Sequence, residues 1–249
     1  VADSIKVSAV SYINSYPFIF GLKNHSVQND IDLQLDIPAE CARKLLSGEV
    51  DLGLVPVAII PQLKDAHIIS NKCIGADGAV DSVCLFSEVP LEQIEEILLD
   101  HQSRTSVRLV KFLAEKHWNI APKWVEANEN FIDSIGGKHA GVVIGDRAFP
   151  LLKRFPVIKD LALEWKNCTG LPFVFACWVS NRPLSADFEQ KFNEALQLGL
   201  NQRPHAIRAM AAMDHEAMTR YVQDVIQYEL DDKKREAMKL FLDWSSNAS

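Results

Sequence analysis

Three short polar clusters hold the residue types that could bind a small anion and act on it. The first is Ser11-Tyr12-Ile13-Asn14-Ser15-Tyr16-Pro17, the second Gln102-Ser103-Arg104-Thr105-Ser106, and the third Gly145-Asp146-Arg147. Each follows an aliphatic or β-branched run and precedes a helical pattern, which places it at a strand-to-helix junction. In open α/β sheets, ligands bind beyond the carboxyl ends of the strands. The free N–H groups of a helix start there attract an anion. Ser103, Thr105 and Ser106 add hydroxyls, and Arg104 adds a planar guanidinium that matches a carboxylate. Plain N-capping accounts for one such hydroxyl. Three hydroxyls and an arginine within four residues exceed what a cap needs, so anion binding is the expectation. For Asn14 the pattern fits a turn-stabilising side chain and a functional amide equally well. Ser82 falls within an extended stretch, where a structural role is the simpler reading, and Asp77-Gly78 reads as a turn.

Other chemistries lack their residues. No GxGxxG, Walker A, GxSxG or HExxH pattern occurs. The 7 histidines are scattered with no i, i+4 pair, so no metal site is expected. Most carboxylates, such as Glu92, Glu95 and Glu96, sit in exposed helical patterns. The 5 cysteines (Cys41, Cys73, Cys84, Cys168, Cys177) are odd in number and form no C-x-x-C. They read as buried, inert thiols in a reducing compartment. The opening VADSIKVSAV is too short and too acidic for a signal peptide, and the cytoplasm is the expected location. Lys plus Arg is 26 against 33 Asp plus Glu, a net charge of −7, which argues against a broad nucleic-acid surface. No apolar run approaches the ~18 residues of a membrane span.

Two units must position these clusters. The chain has 249 residues, 48% of them hydrophobic and 24% charged, an ordinary globular composition. Strands are predicted at 5–10, 33–37 and 51–55, with a helix starting at Ser15-Tyr16-Pro17 and another over 38–46 that stops at Gly48. This alternation implies a parallel sheet and an α/β class. Residues 68–86 then form two extended stretches flanking Gly75-Ala76-Asp77-Gly78. A second α/β series follows: strands at 97–100, 123–127 and 141–145, helices at 104–118, 131–135 and 147–155. A further extended stretch covers 173–179, and helical patterns cover 186–200, 204–213, 215–228 and 231–244. The expected organisation is one lobe of residues 1–86 with 176–249 and a second of 87–175. Crossings near 82–86 and 173–179 would act as hinge strands beside a central cleft. That is a two-lobed, periplasmic-binding-protein-like (type II) architecture.

The junction sequences are jointly similar to one family. Ser11-Tyr12-Ile13-Asn14-Ser15-Tyr16-Pro17-Phe18 resembles the Y-[LI]-N-x-x-P-[LF] opening of the MqnA family. Cys73-Ile74, Gly78-Ala79-Val80-Asp81-Ser82-Val83 and Leu85-Phe86-Ser87 resemble its next segment. Leu99-Asp100 with Ser103-Arg104-Thr105-Ser106 matches L-D-x-x-S-R-T-S. Val143-Ile144-Gly145-Asp146 and Thr169-Gly170-Leu171-Pro172-Phe173-Val174-Phe175-Ala176-Cys177-Trp178 match two more, in the same order. The similarity runs over residues 5–180. Members of the family are chorismate dehydratases of the futalosine route to menaquinone. The sister MqnD family, which makes a naphthoquinone precursor on the same fold, opens more like S-P-C-P-N-D-T-F. Asn14 followed by Ser-Tyr-Pro places this chain with the dehydratases.

The resemblance implies a cytoplasmic enzyme with no cofactor, acting on a small dicarboxylate, chorismate. Partners of other kinds, nucleic acid or membrane, are not expected, and the oligomeric state is left open. The family's active-site Asn falls on Asn14 and its active-site Ser on Ser82. Ser11 and Tyr12 would accompany Asn14. Ser103, Arg104, Thr105 and Ser106 would hold a carboxylate, and Gly145, Asp146, Thr169 and Gly170 would line the cleft. No His or Lys stands inside the matched segments as a base, so the expected reaction is dehydration with substrate-assisted proton removal. Asp146 is the alternative base. A rival expectation is a carboxylate-binding protein of the same fold that performs no chemistry.

Overall fold

A computed structural model describes residues 4–212 and 214–247. In chain order the elements are strand β1 (Ile5–Val10), helix α1 (Tyr16–Lys23), β2 (Ile31–Asp36), α2 (Pro38–Ser47), β3 (Leu52–Pro56), β4 (His67–Ala76) and β5 (Val83–Ser87). There follow β6 (Glu96–Leu99), α3 (Thr105–Leu113), β7 (Lys123–Glu126), β8 (His139–Ile144), β9 (Val157–Asp160), α4 (Leu161–Thr169) and β10 (Phe173–Ser180). The chain closes with α5 (Ala186–Asn201), α6 (Arg203–Met210), α7 (His215–Arg220), β11 (Gln227–Glu229) and α8 (Asp232–Asn247).

The chain divides into two units. One runs up to Gly75 and resumes over Val174–Asp231; the other takes Ala76–Phe173 and everything from Asp232 onward. The first carries a sheet of strand order β11-β4-β10-β3-β1-β2, the second one of order β7-β6-β8-β5-β9. Both sheets are mixed rather than parallel. In the first, β1 runs parallel to β2 and β3, while β10 lies antiparallel to β3. In the second, β6 is parallel to β7 and β8, and β5 is antiparallel to β8 and β9. The helix-linked strands follow the expected rule. Strand β5, which follows a turn, runs against it, and so does β10, which follows α4 but belongs to a different sheet from β9, the strand before that helix.

In the first unit, Phe18 of α1 meets Trp178 at 5.9 Å and Tyr228 at 5.2 Å between ring centroids, both edge-on. Two glycines let α1 lie directly on α5. A Cβ at Gly21 would stand 1.9 Å from the Ala195 carbonyl oxygen, and one at Gly199 would stand 1.7 Å from that of Pro17. This close approach fixes the helix that leaves the Asn14 turn.

The second unit centres on Trp165, which packs against Phe112, Phe173 and Phe241. Its boundaries differ from the expected ones in two ways. Residues 76–86 belong to it because β5 pairs with β8 and β9. Helix α8, expected in the first lobe, also belongs to it. Trp244 packs on Phe112 at 5.2 Å, Phe241 packs on Phe173 at 5.2 Å, and Arg108 donates to the Ser245 carbonyl at 2.9 Å. Smaller differences are local. The patterns at 131–135 and 147–155 form short 3-10 helices, Phe131–Ser134 and Phe149–Lys153, instead of α-helices, the second with Pro150 in its first turn. The expected helix over 215–228 ends early, and Tyr228 lies in β11, paired with β4. The end of the 204–213 helix, Met213, lies outside the described residues.

Candidate active site

In the first unit, strand β1 delivers the chain to a single 3-10 turn, Ile13–Ser15, and Pro17 then sits in the first turn of α1. Ser11 is tied to the end of β2: its N–H donates to the Asp36 carbonyl at 2.9 Å. The Ser15 N–H closes the turn on the Tyr12 carbonyl at 2.9 Å. Asn14 is half-buried at the middle of this turn. Its Oδ1 accepts from the buried Ser15 hydroxyl at 3.1 Å, and its backbone carbonyl accepts from the Tyr228 hydroxyl at 2.8 Å. The side-chain Nδ2 has no acceptor among the described residues, so the Asn14 amide is oriented with its donor end open. Burial holds the Tyr228 phenol well above its ordinary pKa, which keeps it the donor in this bond. Of the two expected roles for Asn14, the turn is built by other groups, and the amide donor remains available.

In the second unit, Ser82 is 1% exposed and stands just before β5. The preceding residue, Asp81, has φ 61°, the left-handed region that costs a non-glycine residue about 1 kcal/mol or more. One carboxylate holds it there. Asp160 Oδ2 accepts the N–H groups of Val80 and Asp81, each at 2.7 Å, while Oδ1 caps α4 through Ala162 N–H at 3.0 Å and Leu163 N–H at 3.1 Å. Burial raises the Asp160 pKa from its ordinary value, and the backbone N–H bonds oppose that shift. Cys84 Sγ lies 3.9 Å from Asp160 Oδ2. Burial and that neighbouring carboxylate push its thiol pKa up, so it is no activated nucleophile.

The other two clusters meet through Asp100. The Ser82 carbonyl accepts from Gly145 N–H at 2.8 Å, which joins Ser82 to the Gly145–Arg147 turn. Asp100, its carboxylate fully buried, accepts from Gln102 N–H at 3.0 Å, Ile144 N–H at 3.1 Å and the Arg147 guanidinium at 2.5 Å. Ser103 Oγ caps Ser106 N–H at 3.0 Å. Thus Ser103 does plain capping, and Thr105 and Ser106, each 3% exposed, are buried in the junction. Arg104 alone is exposed, and its guanidinium has no hydrogen bond or ion pair among the described residues. Asp146, in the third cluster, is half-buried.

Thr169 and Gly170 are placed differently. The Thr169 hydroxyl donates to the Trp165 carbonyl at 2.9 Å and accepts from Leu171 N–H at 3.2 Å, and Gly170 at φ 75° ends α4. They stand about 13 Å, the length of that helix, from the Asp160 clamp at its other end. Their groups serve the helix end, and no described hydrogen bond joins them to Ser82. Sequence reasoning had missed Asp160 and Tyr228. An Asp directly before a helix is a readable cap signal, but its second oxygen, turned to residues 80 and 81, has no local signature. Among the described residues no group of three or more His, Cys, Asp or Glu could hold a metal ion.

The fold and these junctions define a class, the α/β proteins with two sheet-centred units of the periplasmic-binding-protein type. A Candida albicans gene product described as having the generic periplasmic binding protein fold superposes with TM-score 0.69 at 14% identity, covering 98% of this chain and 90% of that one. A solved Archaeoglobus fulgidus protein gives TM-score 0.77 at 15% identity over 98% of this chain and 97% of that one. The family follows from sequence. The model of the menaquinone biosynthesis family matches residues 5–247, and the chain belongs to that family. It is also 30% identical over 227 residues to the chorismate dehydratase of Thermus thermophilus, covering 82% of this chain and 83% of that protein. No helix among the described residues is long and apolar enough to cross a membrane.

Proposed function

We propose that this chain is a chorismate dehydratase, a cytoplasmic carbon–oxygen lyase that converts chorismate to 3-[(1-carboxyvinyl)oxy]benzoate and water. The similarity to the Thermus enzyme supports the substrate, and the five free cysteines support a reducing compartment. The observation that carries the chemistry is the fixed state of two polar groups. Asn14 presents an open amide donor while Tyr228 and Ser15 hold it, and Ser82 follows a left-handed residue that Asp160 clamps.

The reaction needs little more than such placement. The C–H electrons of the ring carbon that bears the ether become the third π bond of the ring. The C–O bond of the neighbouring carbon breaks, and the departing hydroxide with the released proton makes water. Aromaticity supplies the driving force. The enolpyruvyl carboxylate, folded over the ring, takes the proton, since neither an amide nor an unactivated hydroxyl is a base. Asn14 and Ser82 orient that carboxylate and the leaving hydroxyl. Arg104 and the N–H groups at the start of α3 stabilise negative charge on the ring carboxylate. Orientation of this kind can lower a barrier by roughly 7–11 kcal/mol.

The test uses chorismate and its enolpyruvyl methyl ester. Ultraviolet absorbance should show an aromatic product from chorismate and none from the bound ester. Turnover of the ester at the normal rate would shift the base to Asp146. Binding of chorismate without product would leave a carboxylate-binding protein.

A further inference from the structure

A diacid carries two negative charges, and the reading above gives only one of them a cation, Arg104 of the second unit. The first unit's basic residues divide cleanly. Its described cations at least partly withdrawn from solvent are Lys44, Lys72, Lys191 and Arg203, of which Lys191 is paired with Asp187 at 3.0 Å. Lys44 is bound to both oxygens of Asp36 at 2.8 Å, and Lys72 is paired with Glu229. Arg203 has no ion pair and no hydrogen bond among the described residues, and its Nε is buried without an acceptor. An unpaired guanidinium drawn out of water is costly unless an anion joins it.

Its position says which anion. The guanidinium lies 5.8 Å from the centroid of the Tyr228 ring, within cation–π range. The hydroxyl of that same tyrosine holds the Asn14 carbonyl at 2.8 Å, and Tyr228 packs edge-on against Phe18 of α1. Arg203, unsatisfied and partly buried among the described residues, therefore shares its anchor with the open amide. We propose that Arg203 is a substrate-binding residue that receives the second carboxylate of the diacid, the one borne by the ether side chain. This rests on the dehydratase reading and adds a residue to it. Arg203 takes one carboxylate oxygen and leaves the other for the ring proton.

Two stable aromatic ligands separate this role from a structural one. The diacid 3-(1-carboxyethoxy)benzoate keeps both carboxylates, and 3-ethoxybenzoate lacks the side-chain one. Competition against chorismate turnover, or calorimetric titration, gives their affinities. Wild-type protein should favour the diacid by about 10- to 100-fold, the size expected of one charge-assisted contact. Arg203→Met keeps the stem of the side chain. It should bring the diacid down to the monoacid's affinity and leave the monoacid within about twofold, with Arg203→Lys recovering part of the preference. Equal weakening of both ligands would make Arg203 structural and overturn the proposal. So would a preference that survives the substitution, or none in the wild type. If wild-type protein binds chorismate but produces nothing, the dehydratase reading fails on its own, while the ligand comparison still decides the role of Arg203 in binding.

Discussion

Replacing Asp160 with serine separates its two duties. Serine is a good helix cap, so it keeps the bonds to Ala162 and Leu163 N–H, but it is too short to reach Val80 and Asp81. Two N–H groups now bound at 2.7 Å then lose their acceptor. Bonds to a charged group contribute about 1.5–3 kcal/mol each, a gross loss of roughly 3–6 kcal/mol. Part is offset, because a carboxylate whose pKa is raised by burial is itself costly to bury. A net loss of about 1–3 kcal/mol in stability is expected. The larger consequence falls on Ser82. Without the clamp, Asp81 relaxes from φ 61°, and the Ser82 hydroxyl leaves its place. Turnover at saturating chorismate should fall about tenfold or more. Glycine at 81 removes the left-handed penalty of about 1 kcal/mol, so Asp81→Gly should return about fivefold of the lost rate in the Asp160→Ser background and change the wild type less than twofold. Thermal denaturation and the ultraviolet assay, run on the four proteins of this cycle, give both quantities. Wild-type turnover in Asp160→Ser, or no recovery in the double variant, would refute the role of the clamp.

Three further outcomes are expected. Ser82→Ala should lower kcat with little change in KM, whereas Arg104→Ala should raise KM about 10- to 100-fold; the reverse assignment in steady-state kinetics would contradict both roles. Tyr228→Phe keeps the ring against Phe18 but orphans the Asn14 carbonyl, so it should cost about 1–3 kcal/mol by denaturant titration and lower kcat as well; a stability loss with full kcat would show that the bond does not set the Asn14 amide. Thiol alkylation at pH 8 should strike Cys168, the one half-buried cysteine, before the others. Cys41, whose pKa burial raises to about 12, forms little thiolate there and should react only after unfolding; peptide mass mapping reads the order.

The sequence carried the local chemistry well and the long-range anchoring poorly. The α/β class, the Asn14 turn and the α3 junction were legible because strands, prolines and caps act on near neighbours. Helix α8 was misassigned because its apolar stripe says that it packs, and nothing in that stripe says against which sheet. Tyr228 was drawn into a helix since the 215–228 pattern is periodic, and only pairing with β4 makes it a strand. Asp160 and Arg203 were invisible for a related reason. Each acts on a residue distant in the chain, at 80, 81 or 228, through an atom that leaves no spacing to read. The motif at Thr169 and Gly170 was legible, and the structure adds that their hydrogen bonds end helix α4.

The central claim is that placement of a diacid by Asn14 and Ser82 is sufficient for dehydration. The most direct measurement is a single turnover with purified protein in excess over chorismate, quenched over time and resolved by mass spectrometry. First-order conversion to a product lighter by one water is expected of the wild type, with that rate lost in Asn14→Ala and Ser82→Ala proteins that still bind the substrate. Chorismate returned unchanged by the wild type, or converted equally fast by both variants, would contradict it.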